Sequence, residues 1–98
     1  MHIISRKRLR EFWEKNPDAK EELDAWFKVA RKAEWHNITE VRQTVRSADA
    51  VGTCTVFNVR RNRFRLVVKI EYRIGRIYIK AVLTHAEYDR KEWTHGCR

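Results

Sequence analysis

The sequence predicts an α+β domain of order β-α-α-β-β-β, with two helices packed on one face of a small, mainly antiparallel sheet and a helical turn at the C-terminus. Three observations lead there. Apolar residues recur at helical spacing in the first third of the chain. The period changes from 3.6 to 2 at Thr53, and turn residues then divide the second half into three strands. The 98 residues suffice for one core and not for two, so residues 1–98 form a single domain.

"HII" at residues 2–4 reads as a short opening strand. Ser5 can cap the helix that follows, with Ile4 and Leu9 placed as a hydrophobic staple. Leu9, Phe12 and Trp13 give this helix its apolar stripe. Arg6, Lys7 and Arg8 crowd its first turn, where the macrodipole disfavours cations, which points to a ligand. The second helix is "NPDAKEELDAWFKVARKA": Asn16 caps it, Pro17 suits its first position, and Asp18, Glu21 and Glu22 complement its positive end. Leu23, Trp26, Phe27 and Ala30 repeat at i, i+3, i+4, i+7 and face the core.

"TEVRQTV" then supplies one or two helical turns, with Val41 and Val45 inward, and "SADAVG" reads as a connection. "TCTVFNV", "RFRLVVKIEY" and "RIYIKAVL" form an antiparallel meander joined by turns at "RRN" and "RIG". In the middle strand Phe64, Leu66, Val68, Ile70 and Tyr72 point inward, and Arg63, Arg65, Val67, Lys69 and Glu71 outward. In the last strand Ile77, Ile79, Ala81 and Leu83 are expected inward, with Arg76, Tyr78, Lys80 and Val82 outward.

The charge is uneven. Residues 1–50 carry 11 basic and 9 acidic side chains, and residues 51–98 carry 11 basic and 4 acidic, so seven of the nine surplus cations lie in the second half. Arginine outnumbers lysine 14 to 8, a composition suited to bidentate phosphate recognition. Such a basic half fits nucleic acid or an acidic protein partner. No apolar run approaches the roughly 18 residues of a membrane span, and the cations of "MHIISRKRLR" follow its apolar stretch, the reverse of a secretory signal. The chain is therefore expected in the cytoplasm, away from membranes, with Cys54 and Cys97 as free thiols.

Two constellations could carry chemistry. On the outward sheet face Arg63, Arg65, Lys69, Arg76 and Lys80 surround Tyr78, a mixture of cations and an aromatic ring that suits single-stranded nucleic acid. An ordinary solvated face is the alternative, but only Glu71 offsets these cations. Beyond the last strand comes "THAEYD". Thr84 and Glu87 make a capping box, which explains those two residues and leaves His85, Tyr88 and Asp89 unused on one helical face. A surface histidine of no catalytic consequence is the bland reading. His85, His95 and Cys97 lack any standard zinc spacing, so neither a metal nor another cofactor is expected, and no P-loop, GxGxxG, GxSxG or HExxH is present.

"VFNVRRNRFRLVVKIEY" followed by "RIYIKAVLTHAEYD" resembles the HigB-type toxins of type II toxin–antitoxin systems, within the RelE-like superfamily. "MHIIS" and "WFKVARKAEW" are similar too, so the resemblance covers essentially the whole chain. One departure is "RRN", where relatives often carry glycines; Asn62 is the residue there able to take a positive φ. The resemblance implies a RelE-like fold and an mRNA interferase that cleaves mRNA on the ribosome without metal and is held inactive by a HigA-like helix-turn-helix antitoxin. It implies that Asn58, Arg65, His85, Tyr88 and Asp89 fall on recurrent motif positions. Proton transfer would go to His85, phosphate charge to Arg65, stacking or orientation to Tyr88, and support of His85 or a cation to Asp89. Asn58, Arg61, Arg63, Lys69, Arg76, Tyr78 and Lys80 would bind RNA. Two readings without cleavage stand beside it: a basic RNA- or ribosome-binding module, and an antitoxin-like protein-interaction domain.

Overall fold

A computed structural model describes all of residues 1–98. The chain opens with strand β1 (His2–Ile4) and three helices, α1 (Arg6–Lys15), α2 (Lys20–Lys32) and α3 (Ile38–Thr44). Strands β2 (Asp49–Val51), β3 (Cys54–Val59), β4 (Phe64–Glu71) and β5 (Arg76–Thr84) follow, then helix α4 (His85–Arg90) and a 3₁₀ segment, Glu92–Cys97. The five strands lie in the order β1-β5-β4-β3-β2, with β1 parallel to β5 and every other pair antiparallel. The meander expected from residues 53–83 is thus the middle of a larger sheet. "SADAVG" is more than a connection, because Asp49, Ala50 and Val51 pair with Val56, Thr55 and Cys54.

The expected helix stripes bury except at Phe12 and Phe27, which are only half-buried. Leu9 and Trp13 from α1 meet Leu23, Trp26 and Ala30 from α2 over Phe57, Phe64, Leu66, Val68, Ile70, Ile77 and Ile79 of the sheet. Phe27 and Val45 lie at the margin of this core, half-buried. The caps differ from expectation. Ser5 and Asn16 make no side-chain cap bond, Ile4 stays exposed, and the second helix begins as a 3₁₀ turn at Pro17–Ala19. Arg6 proves to be structural: it pairs with Asp24 at 3.1 Å and lies over the rings of Trp13 and Phe27. An aromatic surface and a carboxylate on α2 offset its poor position at the α1 dipole.

The last strand contains the main correction. Val68 pairs with Ile79 but Val67 pairs with Ala81, so Lys80 is an extra residue in β5 and the ladder bulges there. A side chain's face depends on parity, so one inserted residue reverses the faces that follow. Val82 therefore packs toward the helices, while Ala81 and Leu83 reach the opposite face, contrary to the simple alternation.

That opposite face is not the open cationic surface the alternation suggests. Val67 is 1% exposed and Arg65 9%. A second cluster forms there from Cys54, Val56, Val67 and Cys97, flanked by Val51, Ala81, Leu83, Tyr88 and Trp93. The C-terminal segment folds back over the sheet, and Cys54 and Cys97, 43 residues apart, form a disulfide instead of remaining free thiols. The Cys97 carbonyl accepts from Thr53 N–H at 2.6 Å. Gly52 (φ +58) permits this approach, because a Cβ there would strike the Cys97 carbonyl oxygen.

Opening the 43-residue loop should cost about 4 kcal/mol in the chain-entropy account. Urea unfolding with and without dithiothreitol is expected to show a lower midpoint for the reduced protein. Coincident curves would mean that the apolar contacts alone hold the C-terminal segment.

Candidate active site

The site forms where β4, β5 and α4 meet. Phe64 pairs with Thr84 and Arg65 with Leu83, and the His85 N–H donates to the Arg63 carbonyl at 3.1 Å. The strand ladder thus runs directly into the helix, fixing α4 beside the β3–β4 turn. Both halves of the capping box are made: Glu87 N–H donates to Thr84 Oγ1 at 3.3 Å, and Thr84 N–H donates to Glu87 Oε1 at 2.9 Å. The Thr84 backbone N–H holds the Glu87 carboxyl below its ordinary pKa, with help from the Thr84 hydroxyl and the Arg90 charge.

Arg65 lies beneath α4. Its Nη1 donates to the Asn62 carbonyl at 2.7 Å and to the Phe64 carbonyl at 3.4 Å, and its guanidinium carbon sits 4.7 Å from the centre of the Tyr88 ring. Two carbonyls and an aromatic ring replace much of the water that burial removes. Tyr88 in turn stacks on Trp93, with centroids 5.1 Å apart and planes 17° from parallel, and Lys91 Nζ lies 5.8 Å from the same ring. One turn along the exposed side of α4, His85 Nε2 faces Asp89 Oδ2 at 3.2 Å. That pair is well solvated, with side-chain exposures of 59% and 61%.

Asn58 stands opposite Arg65 on β3, and its Nδ2 donates to Asn62 Oδ1 at 3.3 Å. In the turn that follows, Arg60 and Arg61, not Asn62, take positive φ. The Arg60 N–H donates to Glu22 at 2.5 Å and Arg63 pairs with Asp18 at 3.0 Å, two contacts that hold this strained turn against the helical layer.

Of the expected residues, Arg65 meets Tyr88, His85 meets Asp89 on the same helix, and Asn58 lies opposite Arg65 in the ladder with its amide on Asn62. Arg61 is exposed beside them in the turn, and Arg63 is drawn toward Asp18. Lys69, Tyr78 and Arg76 share the Arg65 face but sit near the other ends of their strands, with Lys69 pairing at 3.6 Å with Glu71. Arg65 and Lys69 are four steps apart along the strand, roughly 13 Å. The Lys80 side chain is exposed at the bulge, and its carbonyl accepts from Arg8 Nη1 at 3.0 Å. Sequence reasoning missed Trp93 and Lys91. An aromatic residue five positions after Tyr88 was the available signal. No group of three or more His, Cys, Asp or Glu side chains converges, and Cys97 is committed to its disulfide.

Helices over one face of a meander, closed by a short C-terminal helix, are compatible with a RelE-like fold. Comparison with known proteins agrees. The family model described as "HigB_toxin, RelE-like toxic component of a toxin-antitoxin system" matches residues 19–91. Similar proteins include the mRNA interferase toxin HigB of Escherichia coli strain K12, 33% identical over 92 residues, covering 91% of this chain and 88% of that one. The mRNA interferase HigB proteins of Escherichia coli O157:H7 and Shigella flexneri match with the same identity and coverage. The chain belongs to the HigB family of RelE-like toxins.

The capping box sets a pH dependence. The folded Glu87 carboxyl titrates below its unfolded value, so its stabilisation is complete above the unfolded pKa and is lost as pH falls through the folded one. Glu87→Gln should lower the urea midpoint at neutral pH and approach the parent protein in acid. A constant gap between the two across that range would show that the charge of Glu87 contributes nothing.

Proposed function

We propose that this chain is the mRNA interferase of a toxin–antitoxin pair, cutting mRNA on the ribosome by metal-independent attack of the RNA 2′-OH on the adjacent phosphorus. The attack releases the 5′-oxygen of the next nucleotide and leaves a 2′,3′-cyclic phosphate. It needs a base for the 2′-OH, an acid for the leaving oxygen, and positive charge for the phosphorane. The observation that carries the reading is the buried Arg65 guanidinium against Tyr88 of the same short helix that bears the exposed His85–Asp89 pair. Family membership and the mRNA interferase names of the relatives support the RNA substrate.

In this mechanism Arg65 stabilises the phosphorane. Its protein hydrogen bonds run through Nη1, which leaves Nε and Nη2 for phosphate oxygens. His85 transfers the proton. A hydrogen on Nε2, donated to Asp89, leaves Nδ1 free to accept one from the 2′-OH, so Asp89 sets the tautomer. Tyr88 orients Arg65. Asn58, Arg61, Arg63, Lys69, Arg76, Tyr78 and Lys80 bind mRNA or ribosomal RNA around this centre. A cognate antitoxin of HigA-like helix-turn-helix type silences it by covering or distorting the basic cleft.

One observation favours a reading without cleavage: a solvated His–Asp pair four residues apart is also an ordinary surface feature of helices. Single-turnover cleavage on programmed ribosomes separates the two. His85→Ala should slow cleavage about 10²–10⁴-fold and leave binding at fixed salt nearly intact. Arg65→Lys, which keeps the charge but loses the flat fork, should slow cleavage as well. Full-rate cleavage by the His85 variant would return "THAEYD" to a capped turn.

A further inference from the structure

The C-terminal segment Glu92–Cys97 does more than finish the chain. Trp93 stacks on Tyr88, and its indole N–H donates to the Tyr88 carbonyl at 2.9 Å. One side chain thus holds both the ring and the backbone of Tyr88. The segment is itself anchored: the Cys97 sulfur is bonded to Cys54, the Cys97 carbonyl takes the Thr53 N–H, and Trp93 flanks the buried cluster of Val56 and Val67. Helix α4 has six residues and no buried residue of its own, too short to fix a tyrosine by intrinsic helicity.

We infer that Trp93 is a positioning residue of the cleavage site: tethered to β3 through the Cys54–Cys97 disulfide, it holds Tyr88 against Arg65 and so aims the guanidinium at the scissile phosphate. The inference rests on the RNA-cleavage reading, and goes beyond it by assigning a role to a residue about one helical turn outside the T-H-x-E-Y-D motif. Arg65 has two backbone acceptors on one nitrogen only, so its plane depends on the Tyr88 ring. Without the Trp93 stack, Tyr88 would gain rotamers and the guanidinium would lose its wall. A misplacement near 1 Å is enough to slow a positioned reaction by about 10²-fold.

Two readouts test this, one of which needs no activity. The Arg65 Nε–H resonance in a ¹H–¹⁵N spectrum should carry an upfield ring-current shift from Tyr88. That shift should persist in Trp93→Phe, which keeps a flat ring, and collapse in Trp93→Leu. In single-turnover cleavage Trp93→Leu should slow the rate at saturating RNA about 10–100-fold, with the half-saturating concentration changed less than about threefold. Trp93→Phe should recover most of the rate. If Trp93→Leu does not fold, judged by circular dichroism at the assay temperature, Trp93→Met fills the volume without a ring and takes its place. An unchanged Arg65 resonance in the ring-less variant overturns the inference. So does a parental cleavage rate in that variant while His85→Ala is inactive, and this second result leaves the RNA-cleavage reading standing. Should the parent protein not cleave RNA at all, that reading fails, and the Arg65 resonance still decides whether Trp93 positions Tyr88.

Discussion

The bulge at Lys80 is the constraint on which the two faces of the sheet depend. Up to Ile79 the last strand turns Ile77 and Ile79 toward the helices; beyond it the parity is reversed. Without the extra residue, Ala81 and Leu83 would enter the helix core, and Val82 would face the C-terminal segment. With it, Leu83 stands beside Arg65 and Ala81 beside Val67, forming the apolar floor on which Tyr88, Trp93 and Cys97 rest. The Arg8 guanidinium takes the Lys80 carbonyl, which supplies a partner for a backbone group at the irregularity. A first-turn arginine of α1 therefore supports a defect in β5, and the defect supports the site.

A guanidinium buried on such a floor is costly unless its environment restores what water provided. Here the carbonyls of Asn62 and Phe64 and the Tyr88 ring do so. Arginine tolerates this better than lysine, because its charge is delocalised, its hydration weaker and its plane able to stack. The consequence for chemistry is directional. A charge held in a partly dry site acts more strongly on a developing phosphorane than the same charge in solvent, and needs little reorganisation as the transition state forms.

Much of this was legible from the sequence, for stated reasons. The α2 stripe of Leu23, Trp26 and Ala30, the period of β4 through Phe64, Leu66 and Val68, and the Thr84–Glu87 box each follow a rule local to a few residues. The features that escaped are non-local. "IYIKAVL" reads as an unbroken alternation, and nothing in it marks Lys80 as the inserted residue. β2 has three residues, too few for a period, and gains strand geometry only by pairing with β3. Cys54 and Cys97 meet because the chain folds back, and Arg6 finds its partners on another helix. For the candidate site the family resemblance pointed to Asn58, Arg65, His85, Tyr88 and Asp89, while spacing gave only the shared face of the last three. The burial of Arg65 and the presence of Trp93 were visible only once the second face had been assembled.

The distribution of charge also acquires a division of labour. Arg6, Arg63 and Lys69 are tied to Asp24, Asp18 and Glu71, so part of the basic excess serves the fold. Arg61, Arg76, Lys80 and Arg90 are exposed and make no ion pair. Exposed cations of this kind attract polyanions over a Debye length of about 8 Å at physiological salt, and the attraction weakens as salt rises. Arg65 is different: desolvated and stacked, it is screened much less. On the RNA-cleavage reading proposed above, affinity for RNA should therefore depend steeply on ionic strength, while the rate of the bound complex depends on it weakly. On that reading the two quantities belong to different cations, because Arg65 is buried under α4 while Arg61, Arg76, Lys80 and Arg90 stand in solvent.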